Sequence, residues 1–176
     1  MADETKFRAQ LAAMVEGTEA IFKYQRLSPE QLDRVCAALH PKVQRLHLHS
    51  CHVGDAGARK LADVLPRCTS LTWACIAKNK LTDEGAHVMA ECLPRCPALE
   101  WVCLSSNHIT ENGGMALARC IAKCAHLQKL VLYDQGMRPK AKAAVKEAVN
   151  AALLAPRHVP VRAAESPRRA KRARRA

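Results

Sequence analysis

The chain has 176 residues, a formal net charge of +12, and 49% hydrophobic but only 3% aromatic residues. That length suits one domain, and no apolar run reaches the roughly 18 residues of a transmembrane helix. The acidic start, Met1 to Glu4, reads as neither a secretory nor a transit signal. Together with an odd count of nine cysteines, it points to a reducing intracellular compartment, nucleus or cytoplasm.

Residues 4–22 read as a helix, with Phe7, Leu11, Met14 and Val15 on one face. Ile21 to Tyr24 offer an edge strand. Ser28, Pro29 and Gln31 form a capping box with proline at the first helical position. The helix it opens runs through Leu32, Val35, Cys36 and Leu39. Residues 1–42 are therefore expected to form a helical N-terminal cap ending in a degenerate half-repeat.

Residues 43–154 divide into four rows of 28 that align without insertion or deletion. The first column is Val43, Leu71, Leu99 and Leu127; the fourth is Leu46, Ala74, Val102 and Leu130; the sixth is Leu48, Ile76, Leu104 and Leu132. Apolar positions four and six alternate with variable ones, the period of a short strand. The ninth column, Cys51, Asn79, Asn107 and Gln135, has side chains able to satisfy backbone groups where the chain leaves the strand. The eleventh is Val53, Leu81, Ile109 and Met137. Helix starts follow, with hydroxyl caps Thr82 and Thr110 and first-turn acids Asp83, Glu84 and Glu111; Gly54 and Asp55 open a weaker equivalent. Apolar residues then recur at helical spacing, and Pro66 and Pro94 close the first two helices. A fixed period of strand, turn and helix predicts an α/β solenoid, since each unit buries its core only against its neighbours. Row four departs, with Pro139 in place of the acid and Ala141 in place of glycine, and is expected to be the C-terminal cap.

The row Leu99, Trp101, Val102, Leu104, Asn107, Ile109 resembles the leucine-rich repeat LxxLxLxx(N/C)xL. The 28-residue length and the Thr-Asp-Glu-Gly helix start are similar to the ribonuclease-inhibitor-like class. This resemblance covers residues 43–137 well and runs weakly to Leu154. It implies a right-handed β-α superhelix with parallel strands on the concave face and helices on the convex face.

In that architecture positions three, five and seven point out of the concave sheet. Position three reads Arg45, Trp73, Trp101, Lys129; position five His47, Cys75, Cys103, Val131; position seven His49, Ala77, Ser105, Tyr133. Both tryptophans of the chain thus fall in one column on adjacent strands, about 4.8 Å apart. They are expected to touch, with Arg45 and Lys129 beside them. Trp and Arg dominate interface hot spots, so this column reads as a partner-binding surface; tucking under the N-terminal cap is the alternative. His47, His49 and His52 lie close together and read as a polar edge, with metal or anion binding the sharper alternative.

Cys92 with Cys96 and Cys120 with Cys124 are helical i,i+4 pairs, a thiolate set that zinc could use if the sulfurs converged. Seven of the nine cysteines recur in columns, however, which favours packing as small apolar residues. No metal or cofactor is expected. The chain lacks a glycine-rich phosphate loop, an HExxH and a GxSxG, so no enzymatic activity is expected either.

After Leu154 the composition shifts to Pro, Ala and Arg, and residues 155–176 read as a disordered tail. Residues 157–176 carry eight basic side chains against Glu165, which is +7 of the net +12. The cluster Arg168, Arg169, Lys171, Arg172, Arg174 and Arg175 reads as a localisation signal or a polyanion contact. Without interleaved aromatics it supports no base readout.

The pattern points first to a non-catalytic scaffold that binds a protein on its concave face. A ribonucleoprotein subunit, with the tail and the Arg138 to Lys146 helix gripping RNA, is a second reading. Ribonuclease-inhibitor-like repeats also occur in Ran GTPase activators, so regulation of a small GTPase is a third; those proteins carry many more repeats and an acidic tail. If the tail is an RNA contact, retention on RNA falls steeply with salt and is lost on deleting 157–176. Retention that survives deletion, or ignores salt, excludes that role.

Overall fold

The computed structural model describes residues 2–156. The expected disorder of the tail and the cluster Arg168 to Arg175 lie outside the described residues. The elements are α1 (Ala2–Glu16), β1 (Glu19–Ile21), α2 (Pro29–Ala38), β2 (Arg45–His47), α3 (Gly54–Val64), β3 (Trp73–Cys75), α4 (Asp83–Cys92), β4 (Trp101–Cys103), α5 (Glu111–Ile121), β5 (Lys129–Val131) and α6 (Pro139–Leu154). Short 3-10 turns at Leu65–Arg67 and Leu93–Arg95 hold Pro66 and Pro94 where α3 and α4 end.

The five strands form one parallel sheet in chain order. Glu19, Arg45, Trp73, Trp101 and Lys129 stand side by side, as do Ala20, Leu46, Ala74, Val102 and Leu130. One carbonyl before each strand receives two N–H groups from the next: Thr18 from Gln44 and Arg45, Gln44 from Thr72 and Trp73, Thr72 from Glu100 and Trp101, and Glu100 from Gln128 and Lys129. Helices α3 to α6 pack side by side behind the sheet. Leu46, Ala74, Val102 and Leu130 join Leu61, Met89, Leu117 and Val145 in the core between the layers. This is an α/β leucine-rich-repeat solenoid.

Buried amides hold successive repeats together. Asn79 Oδ1 accepts from the N–H groups of Cys51 (2.9 Å) and Val53 (3.2 Å), while its Nδ2 donates to the carbonyls of Leu48 (2.6 Å) and Ala77 (2.9 Å). Asn107 repeats the pattern one unit on, accepting from Asn79 and Leu81 and donating to Ile76 and Leu104. Gln135 accepts from Asn107 and Ile109 and donates to Leu104. In the first row Cys51 fills the column, its thiol donating to the Phe22 carbonyl. Among the described residues no buried side-chain nitrogen or oxygen lacks a partner.

A second ladder runs along the helix starts. Asp55 stands in the first turn of α3, and its carboxylate reaches the start of the next helix. It accepts from the Thr82 N–H (2.8 Å), the Thr82 hydroxyl (2.7 Å) and the Gly85 N–H (3.0 Å). Asp83 does the same for Thr110 and Gly113. A Cβ on Gly85 would come within 2.3 Å of Asp55 Oδ1, and one on Gly113 within 2.5 Å of Asp83 Oδ1. The glycine column therefore exists to let the carboxylate approach. Row four has Arg138 and Ala141 at the matching positions, and the N-terminus of α6 has no side-chain cap.

The N-terminal region differs from the sequence reading. Helix α1 stops at Glu16, short of residue 22, and Val15 is 57% exposed. The strand is at Glu19–Ile21, before the expected 21–24, because the Thr18 carbonyl starts the ladder and Ala20 and Phe22 are the residues that enter the core. Phe7 and Phe22 pack with ring centroids 5.7 Å apart. Glu4 receives hydrogen bonds from Arg34, Arg8 and Gln31, which hold its carboxyl down at about 2 and pin α1 to α2.

Asn79→Ala strands the N–H groups of Cys51 and Val53 and the Leu48 carbonyl, at about 1–3 kcal/mol per unsatisfied group, while the Ala77 carbonyl keeps the Ser50 N–H. Asp55→Ala removes a half-buried cap and costs about 1 kcal/mol. Urea unfolding midpoints should rank them in that order; equal, small shifts contradict the structural role of the amide ladder.

Candidate functional site

On the face of the sheet away from the helices, the parallel register sets identical columns side by side at about 4.8 Å. Trp73 on β3 and Trp101 on β4 stack with centroids 4.5 Å apart and planes 2° from parallel. Such a pair contributes about 0.5–1.5 kcal/mol beyond its burial. His47, on β2, lies against Trp73 with centroids 4.2 Å apart. The three rings form a row, and both tryptophans remain partly exposed.

Beneath the rings is a second, small apolar cluster of Cys75, Ala77, Cys103 and Val131, separate from the main core. Positions five and seven are expected, with position three, to point out of the concave sheet. They do lie on this face, but Cys75, Ala77, Cys103 and Val131 are buried as the floor on which the tryptophans rest. Sequence columns alone did not reveal this, because the covering comes from wide indoles two residues earlier on the same strands.

The remaining expected residues line the ends of this row. Arg45 is exposed and lies 3.8 Å from Glu19. Lys129 is exposed beside Trp101 in register. Ser105 is half-buried, and its hydroxyl accepts from the Tyr133 N–H at 3.0 Å. Tyr133 is 59% exposed. His49 meets Tyr24 edge-on, with centroids 4.7 Å apart. Tyr24, 73% exposed, was not among the expected residues; its contact comes from the added strand β1, whose register with β2 the four rows did not contain.

Burial lowers the His47 pKa, helped by the charges of Lys23 and Arg45 and opposed by Glu19. Burial, then Lys78 and Lys23, lowers that of His49. Both rings are therefore neutral at neutral pH. A hydrogen bond with Cys103, together with burial, pushes the Cys75 thiol up. The same bond, with further ones at Ser105, draws Cys103 down to about 6. Elsewhere the Cys96 and Cys124 thiols donate to the carbonyls of Cys92 and Cys120 one turn back. Among the described residues no three or more His, Cys, Asp or Glu side chains gather as a metal group. One cleft, of about 540 Å³, lies between the starts of α2 and α3; another, of about 300 Å³ between β5 and α6, shares Lys129, Val131 and Tyr133 with the edge of this site. The aromatic row is a surface and lines neither.

A leucine-rich-repeat family model matches residues 40–62 and 102–118. No curated protein matches the chain. Among solved structures, the fold is similar to "Leiomodin-1 Actin-Binding Site 2 (ABS2)", with 19% identity, a TM-score of 0.68, and coverage of 84% of this chain and 89% of that one. A Caenorhabditis elegans tropomodulin C-terminal domain aligns over 86% of this chain and 93% of that one, at 12% identity and a TM-score of 0.39. The chain carries leucine-rich repeats, and the leiomodin likeness is one of fold.

Folding lowers the proton affinity of His47 and His49, so the unfolded chain takes up their protons first as pH falls through 6.5. The stability they leave intact is complete above that value and declines below it. Because His47 touches Trp73, tryptophan emission should fall on acidification with a midpoint below 6.5. His47→Gln should remove that titration and His49→Gln should preserve it. A midpoint at or above 6.5 contradicts the geometry.

Proposed function

We propose that this chain is a non-catalytic protein-binding module of the ribonuclease-inhibitor-like class, which docks a protein partner on its concave sheet face. One observation carries the reading. The only two tryptophans of the chain stack, partly exposed, on a face that the main core does not use. An indole pair is the kind of rigid, wide anchor that dominates binding energy when a partner desolvates it. Arg45 and Lys129 at the two ends of the row, with His47, His49, Ser105 and Tyr133 around it, supply a polar rim. The alternative, tucking under the N-terminal cap, fits less well, since α1 packs against β1 and α2 at the far end of the sheet.

The basic cluster Arg168, Arg169, Lys171, Arg172, Arg174 and Arg175 is proposed to act in nuclear targeting or polyanion contact, on its charge alone. A reducing compartment, nucleus or cytoplasm, suits an odd count of nine buried cysteines. No helix among the described residues is long and apolar enough to cross a membrane.

Affinity capture with the wild-type chain and with Trp73→Ala plus Trp101→Ala tests the docking face. Actin, for which the similar leiomodin domain is named a binding site, is the first bait. Each truncation should weaken capture by about 2 kcal/mol or more, roughly thirty-fold, while circular dichroism shows the fold retained. An unchanged partner set from the doubly substituted, folded protein overturns the reading.

A further inference from the structure

Nine cysteines share one chain, but two of them sit apart. Cys75 and Cys103 are outside the main core, in the small cluster under the tryptophan row, while the other seven belong to the core between sheet and helices. At 8% exposure each, they are the most accessible cysteines of the chain; Cys51 and Cys92 are fully buried. They are direct partners in the β3–β4 register, so their side chains leave the sheet on the same face. Adjacent strands place paired Cα atoms about 4.8 Å apart, inside the roughly 4.4–6.8 Å that a disulfide spans. Cys92 and Cys96 have sulfurs 3.9 Å apart but belong to the core between sheet and helices, where Cys92 is fully buried and Cys96 is 6% exposed.

We propose that Cys75 and Cys103 form an oxidisable dithiol site, which hydroperoxides convert to a disulfide across β3 and β4. The two thiols have unequal roles. Cys103, whose sulfur donates to the Ser105 hydroxyl at 3.4 Å, is the thiol held in the more acidic state and is the nucleophile. Its thiolate attacks the peroxide; the O–O bond breaks, an S–O bond forms, and the leaving oxygen departs as water or alcohol after taking a proton. Cys75 keeps its thiol proton and is the resolving partner. Its sulfur attacks the Cys103 sulfenic acid; the S–S bond forms, the S–O bond breaks, and the expelled hydroxide leaves as water with the Cys75 proton. In total the two thiols lose two electrons and two protons, and one peroxide is reduced. A dithiol reductant opens the bond again by thiol–disulfide exchange. The site stands on register and exposure, and holds whether or not the face above it binds a protein.

The test treats the folded, full-length protein with hydrogen peroxide, blocks remaining thiols by alkylation, and maps the products by mass. Expected are a loss of two hydrogens, a linked peptide joining Cys75 to Cys103, and a drop in tryptophan emission, all reversed by a dithiol reductant. In Cys75→Ser the reaction stops at a Cys103 sulfenic acid that dimedone traps; in Cys103→Ser neither adduct nor linkage appears; Cys92→Ser behaves as wild type. A linked peptide from any other pair as the first product overturns the proposal. So does oxidation of wild-type Cys103 to sulfinic acid without linkage. The wild-type mapping decides even if a serine variant fails to fold.

Discussion

At the end of every strand the chain turns away from the sheet and strands backbone N–H and C=O groups inside a dry core, and the amides of Asn79, Asn107 and Gln135 give those groups partners. Asn79 and Asn107 each bind their own repeat and the preceding one, whereas Gln135 binds the preceding one, so the column sets the spacing between repeats. A buried group without a partner costs more than the net gain from making the bond, which is why the column accepts few residues. Gln135 still reaches with one more methylene, and Cys51 closes the first row by donating its thiol to the Phe22 carbonyl. Constant spacing keeps the strands in register, and everything on the concave face follows from that register.

Along the helices the repeats are joined differently. Asp55 and Asp83 are half-buried carboxylates that accept from the next helix start, and the glycines at 85 and 113 are what allow them in. The two ladders differ in kind: neutral amides where water is excluded, charged carboxylates near the surface where they meet the positive end of a helix. The second ladder stops at α6, which has lost both the hydroxyl cap and the glycine. Helix α6 packs against α5, and Pro139 stands where Asp55 and Asp83 carry the carboxylate that reaches the following helix start.

The sheet divides the apolar residues into two unequal sets. Position four feeds the core, and positions five and seven build a thin layer on the opposite face that is closed only by Trp73 and Trp101. That division gives one residue type two chemistries. Core cysteines such as Cys51, pushed up to about 12 by burial, are inert packing. Cys75 and Cys103, in the thin layer and paired across strands, are placed for reaction.

The repetition was fully legible in the sequence, because a column of leucines or asparagines is a local chemical requirement that each row must meet separately. Strand, turn and helix, the amide column and the adjacency of Trp73 and Trp101 all followed from it. The strand at Glu19–Ile21 was not legible: it lies 26 residues before Arg45, out of step with the 28 between later strands, and only the Thr18 carbonyl and the fit of Ala20 into the core fix it. Nor was the reach of Asp55 to Thr82 and Gly85, since a residue's own row looks like its natural partner until the helices are stacked. The burial of Cys75 and Cys103 belongs to the same class. Sequence determined which side chains recur, and thereby the solenoid; tertiary structure decided which of them cover one another, because covering depends on the width and tilt of a neighbour's ring in the adjacent strand and not on the residue covered.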